Sequence, residues 1–156
     1  MPHPNLPAVR IGIALFALFL GLGSAAAQTA EAPLATKTDA EEGTYLVAGD
    51  GYAVYLFKAD RQGANGAAAE SRCQGDCLAT WPALVATGDP VGTDALDASL
   101  LGTVTRDDGI LQVTYNGWPL YYYAGDSTAD DITGHDIESF GEDWYLIGPN
   151  GERARD

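Results

Sequence analysis

The sequence is poor in basic charge, sulfur and histidine. Eight Lys and Arg stand against 22 Asp and Glu, a formal charge of −14 at pH 7. Such a surface repels phosphate backbones and anionic lipid, which argues against a nucleic-acid partner. It favours cations, metal ions included, only in a nonspecific way. The two histidines are His3 and His135. No His-rich zinc or copper site can be built from them, and a Ser-His-Asp site would have to centre on His135. No Gly-rich phosphate loop ending in Lys occurs. Only two cysteines are present, and no methionine follows Met1.

Long apolar runs are also missing, with one exception. Residues 11–22 form an apolar stretch after Arg10, too short to span a bilayer comfortably. Ser24-Ala25-Ala26-Ala27 follows and fits a signal-peptidase site, placing the cut after Ala27. Residues 1–27 are therefore expected to be a signal peptide, and the product to be periplasmic or secreted. No cysteine adjoins the cut, so a lipid anchor there is not expected, and no membrane span is expected in the mature form. Residues 28–42 are rich in Ala, Thr and acid without periodicity and are predicted to be a flexible tether. Residues 43–152 are the expected folded domain and 153–156 a tail. With 46% hydrophobic residues, the chain can fill one core.

What is present is an internal repeat. Asp50-Gly51-Tyr52-Ala53-Val54-Tyr55-Leu56-Phe57-Lys58-Ala59-Asp60 aligns without gaps on Asn116-Gly117-Trp118-Pro119-Leu120-Tyr121-Tyr122-Tyr123-Ala124-Gly125-Asp126. Asp-Gly and Asn-Gly favour type I′ turns, in which both central residues have positive φ. Residues 44–47 are predicted to pair with 53–57, and residues 112–115 with 118–123. The Asp107-Asp108-Gly109 turn joins residues 101–106 to 111–115, and residues 144–147 form a last strand. Tyr55 and Phe57 point one way and Val54 and Leu56 the other. Tyr121 and Tyr123 likewise oppose Leu120 and Tyr122. Both faces are apolar, so these strands should be covered on both sides. Pro119 lacks a ladder donor and belongs at an edge or bulge. The fold class is all-β: a small single domain of antiparallel strands, built from two related hairpin units with long loops and no long helix.

Several side-chain sets invite a chemical role. Tyr55, Phe57 and Asp60, repeated as Tyr121, Tyr123 and Asp126, read either as carboxylates beside an aromatic platform or as core rings with Asp folded back on a turn. Duplication favours the second, since one active site rarely needs two copies. Trp81, Trp118, Tyr122 and Trp144 are the remaining aromatics that a ligand surface could use. Cys73 and Cys77 enclose Gln-Gly-Asp, a bend short enough for a disulfide in an oxidising compartment. The alternative is a redox or metal-binding pair, though redox pairs usually have C-x-x-C spacing and a helix N-terminus. Asp126, Asp130 and Asp131, with His135 nearby, are the candidate ligands should calcium or another metal bind, although EF-hand spacing is absent. No cofactor is otherwise expected. Asp107/Asp108 and Glu142/Asp143 sit in turns and need no catalytic explanation.

These residues resemble a bacterial family of exported proteins and lipoproteins with a repeated Y-x-[FWY]-x-x-D motif, described as a secreted repeat of unknown function. Tyr55-Leu56-Phe57-Lys58-Ala59-Asp60 and Tyr121-Tyr122-Tyr123-Ala124-Gly125-Asp126 carry the motif twice. Cys73-Gln74-Gly75-Asp76-Cys77-Leu78-Ala79-Thr80-Trp81-Pro82 resembles the family's C-x-G-x-C-x-x-x-W-P pattern. The resemblance extends over about residues 45–150 and brings no established reaction. The expected function is that of an exported, non-catalytic envelope protein, an interaction or ligand-binding module for another envelope protein or a small-molecule or glycan ligand. The alternative is a periplasmic redox or metal-handling protein working through Cys73/Cys77 or the acidic loop 126–131.

Overall fold

A computed structural model describes residues 33–155. The proposed signal peptide and cleavage site lie outside these residues, as do residues 28–32 of the proposed tether. Eight short strands dominate: β1 (Ala35–Asp39), β2 (Gly43–Val47), β3 (Tyr55–Phe57), β4 (Leu101–Thr105), β5 (Leu111–Tyr115), β6 (Trp118–Pro119), β7 (Ile137–Ser139) and β8 (Glu142–Leu146). Between β3 and β4 stand one short helix, α1 (Asp76–Thr80), and a 3-10 turn at Ala98–Leu100. The strands form three antiparallel sheets, β1–β2, β3–β8–β7 and β4–β5–β6. This is the expected all-β class.

The second unit follows its pattern except at its end: the expected pairing of residues 112–115 with 118–123 stops at Leu120, and Tyr121 bridges Tyr55 and Ala83 instead. β4 pairs with β5 from Leu101 opposite Tyr115 to Thr105 opposite Leu111. Asn116 (φ 48°) and Gly117 (φ 76°) make the two-residue turn into β6, as a type I′ hairpin requires. Gly117 has a second reason to be glycine. A Cβ there would lie 2.0 Å from the carbonyl oxygen of Gly63, whose loop packs on the turn. Pro119 lies on the edge strand β6, opposite Thr114.

The first unit departs from expectation in three places. Its hairpin does not use a type I′ turn: only Gly51 has positive φ, and Ala48 N–H bonds to Tyr52 O across a three-residue loop. Asp50 instead accepts the Tyr52 N–H through its carboxylate at 3.1 Å, which keeps Asp50 out of the left-handed region. The pairing of residues 44–47 with 53–57 shrinks to a bridge at Val47–Ala53 and one bond from Val54 N–H to Leu46 O. The main partner of β2 is β1, and that of β3 is β8.

β1 is the larger correction. Residues 33–42, assigned above to a tether, contain a five-residue strand in full register with β2. Leu34, just before it, is buried and bonded to the loop at Val91 and Thr93. Ala-Thr-Lys-Thr-Asp has no apolar alternation because the strand is held by its ladder and by the anchor at Leu34, not by an apolar face. The proposed tail is corrected too: Arg153 bridges Ile147, and buried Ala154 donates to Leu146 O.

Alternation sorts the core into two clusters, as expected from the strands. Val54, Leu56 and Leu120 join Leu46, Val113 and Ile147 in one. Tyr55, Phe57 and Tyr121 join Trp81, Trp144 and the cysteines in the other. Leu34→Ala should cost about 2–4 kcal/mol of unfolding free energy, as buried leucines do. Urea denaturation checks this; a residue in a flexible tether would leave the midpoint unchanged.

Candidate functional site

The two motif strands meet at one point. Tyr55 N–H bonds to Tyr121 O at 2.8 Å and Tyr121 N–H to Tyr55 O at 3.0 Å. Both rings are fully buried, and each hydroxyl reaches the acid of the other unit. Tyr55 donates to Asp126 Oδ2 at 2.6 Å, and Tyr121 donates to Asp60 Oδ2 at 2.7 Å. The second oxygen of each acid caps a loop in its own unit: Asp60 Oδ1 accepts Arg72 N–H, while Asp126 Oδ1 accepts the amide and hydroxyl of Thr133. The acids do not fold back on the turn directly after the strand, as expected above. They brace loops seven and twelve residues on and hold the opposite tyrosine.

The rings alternate between units in the same way. Phe57 stacks on Trp144 (4.0 Å between centroids), Trp144 on Trp81 (3.9 Å) and Trp81 on Tyr123 (4.3 Å). Tyr121 meets Trp144 edge-on and Tyr55 meets Trp81 edge-on. Trp81 and Trp144 are wholly buried and offer no surface to a ligand. Trp118 is buried at the margin of the other cluster, and Tyr122 is half-buried.

Cys73 and Cys77 form a disulfide with their Cα atoms 5.3 Å apart. Both are buried. The sequence offered no clear helix here, yet Cys77 lies in α1, whose single turn carries the bond from Trp81 N–H to Cys77 O at 2.7 Å. The bridge therefore sets the position of Trp81 in the stack.

One group had no sequence signal. Arg106 follows β4 in a run of turn residues, yet its side chain is 2% exposed. It donates to the hydroxyl of Ser71, to Gln112 Oε1 and to Cys73 O, and pairs with Asp108 at 3.2 Å. Ser71 in turn bonds the hydroxyl of Tyr121. A polar chain thus runs from Arg106 through Ser71 and Tyr121 to Asp60. Burial pushes the Asp60 carboxyl up to about 6, against the opposing pull of Arg72 N–H, Tyr121 and Arg106. Burial and the Asp126 carboxylate likewise push the Tyr55 hydroxyl above its usual range.

The four candidate metal ligands are each engaged elsewhere. Asp126 holds Tyr55 and Thr133, Asp130 meets Lys37, and Asp131 accepts the amides of Ser127 and Thr128. His135 Nδ1 accepts Leu146 N–H, and Nε2 lies 3.0 Å from Glu42, so the ring ties β8 to the turn after β1. Burial lowers its pKa. Among the described residues no three His, Cys, Asp or Glu side chains gather as a metal cluster.

The fold and this shared centre define a duplicated all-β module whose units complete one another. The chain belongs to the family described as a secreted repeat of unknown function, matched over residues 36–85 and 102–147, more than half its length. No curated protein and no solved structure matches it. Among the described residues no helix is long and apolar enough to cross a membrane.

Two outcomes follow from the exchange. In a double-mutant cycle, Tyr55→Phe and Asp126→Ala should couple by about 1–3 kcal/mol, whereas Tyr55→Phe and Asp60→Ala should add independently. Denaturation of the four variants reads this. For pH, a carboxyl whose pKa is raised in the folded state binds protons there that the unfolded chain has lost. Stability from Asp60 is therefore full below about pH 4 and falls as pH rises to about 6, by of order 3 kcal/mol. Asp60→Asn should flatten that part of the stability–pH curve, measured by urea titration from pH 4 to 7.

Proposed function

We propose that the protein is a non-catalytic module of the cell envelope or exterior that binds a ligand or another envelope protein, released after cleavage near Ala27. The supporting observation is the commitment of its motif. Asp60 and Asp126, the acids most open to a catalytic interpretation, are buried with both oxygens held, and they act as struts between units. A carboxylate used as a general acid or nucleophile must reach substrate. Redox use of Cys73 and Cys77 likewise needs an accessible sulfur, and both are buried. Binding then falls to the surface that the aromatic centre supports.

Incubation of the purified protein with glycosidase, esterase and peptidase substrates should give no turnover above blank, while a glycan array reports any sugar ligand. Turnover that vanishes in Asp126→Asn, with the fold intact by circular dichroism, would overturn the proposal.

A further inference from the structure

The duplication makes two related clefts. A shift of 66 positions takes Asp50 to Asn116 and also takes Tyr52, Leu56 and Lys58 to Trp118, Tyr122 and Ala124. Leu56, Lys58 and Trp118 line one cleft of about 260 Å³, together with Tyr145, Glu152 and Arg153. Tyr52, Tyr122 and Ala124 line the other, of about 280 Å³, beside Asp50. The two have diverged in charge. The second carries Asp50 and Asp126 and no basic residue, and the first holds two of the chain's eight basic residues beside Glu152.

The chemistry of the first cleft is specific. Lys58 Nζ lies 4.9 Å from the centre of the Trp118 ring, and the Arg153 guanidinium 4.4 Å from that of Tyr145. Lys37, Arg61, Arg72 and Arg106 are each paired with a carboxylate, whereas Lys58 has no ion pair among the described residues. Glu152 lines the cleft and accepts from Asn116 Nδ2, and Asp143 accepts from the Tyr145 hydroxyl; neither forms an ion pair with Lys58. The Trp118 indole N–H is buried without an acceptor in the protein. The unmet capacity at the cleft is thus the Lys58 cation beside aromatic walls, and an acceptor bearing negative charge satisfies it.

We propose that this cleft binds a small organic carboxylate, its charge at Lys58 and its apolar body against Trp118 and Tyr145. The volume lies below the ~300–1,000 Å³ of pockets for drug-sized ligands, so the ligand is compact. The strongly negative surface elsewhere keeps large polyanions away and makes recognition local. The inference rests on the binding-module proposal, and its test is separate because it reads occupancy and not turnover.

Benzoate is the probe, with neutral benzamide as its isostere. In NMR titrations of the isotope-labelled protein, benzoate should shift the Trp118 indole resonance (assigned with Trp118→Phe) to saturation. Benzamide should not saturate over the same range. Lys58→Gln, an exposed substitution, should weaken benzoate by roughly tenfold, as loss of a charge-assisted bond does. Lys37→Gln should leave binding unchanged. Equal binding of benzoate and benzamide, unaltered binding in Lys58→Gln, or no saturable shift with benzoate would each overturn the proposal.

Discussion

Two buried carboxylates, each completed by a tyrosine from the other half of the chain, govern this structure. A carboxylate taken out of water is costly unless it is hydrogen-bonded. Asp60 cannot meet that need within its own unit, because one oxygen faces Tyr121; Asp126 cannot either, because one faces Tyr55. The backbone exchange between Tyr55 and Tyr121 brings both hydroxyls into place at once. Neither unit is then a finished structure alone, and duplication within one chain supplies the complement that a single copy would have to seek in a partner.

The same exchange explains why the aromatic stack tolerates unlike surroundings. Trp81 and Trp144 lie face to face, but they arrive by different routes. Trp144 is carried by β8 between β3 and β7, and its indole donates to Ser139 O. Trp81 follows a single helical turn fixed by the disulfide. Closing a five-residue loop restrains the unfolded chain by about 2 kcal/mol in the chain-entropy model. A covalent staple in the first unit thus does for Trp81 what a central strand does for Trp144. Arg106 breaks the symmetry further: the polar chain that reaches Tyr121 contains a guanidinium, whereas Tyr55 receives only the Gly134 amide.

The legibility of the sequence followed the physics of each segment. Alternation in β3 and around Tyr121 was plain because both faces of those strands are buried, and the Asn116-Gly117 turn was plain because positive φ demands such residues. β1 was hidden because a strand held by a ladder needs no apolar alternation. The repeat itself held the missing signal: the shift of 66 that takes Asp50 to Asn116 also takes Ala35–Asp39 onto Leu101–Thr105. The turn between β7 and β8 was hidden for another reason. It places Phe140 at φ 58° before Gly141, and phenylalanine is not a residue that announces positive φ. At the centre, the motif named the right side chains but not their partners. Spacing along a chain reports neighbours within a unit, and these contacts run between units. Arg106 was illegible because nothing in a lone arginine beside a turn distinguishes a buried cation from a solvated one.

The pattern of likeness and difference between the units then bears on where selection for a ligand would act. The positions that cross the interface keep their chemistry: Tyr with Tyr, Asp with Asp, Phe57 with Tyr123. The positions that face the clefts do not: Lys58 stands where the other unit has Ala124, Leu56 where it has Tyr122, Trp118 where it has Tyr52. A substitution at the interface must satisfy two units together, because each buried group there is half of a pair. The exposed Lys58 meets no such condition, although Leu56 is buried in the core and Tyr52 and Tyr122 bond across the units to Ser127 O and Asp50. The interface therefore stays alike while the clefts drift apart, and the duplicated frame can present two different surfaces without altering the contacts that hold it.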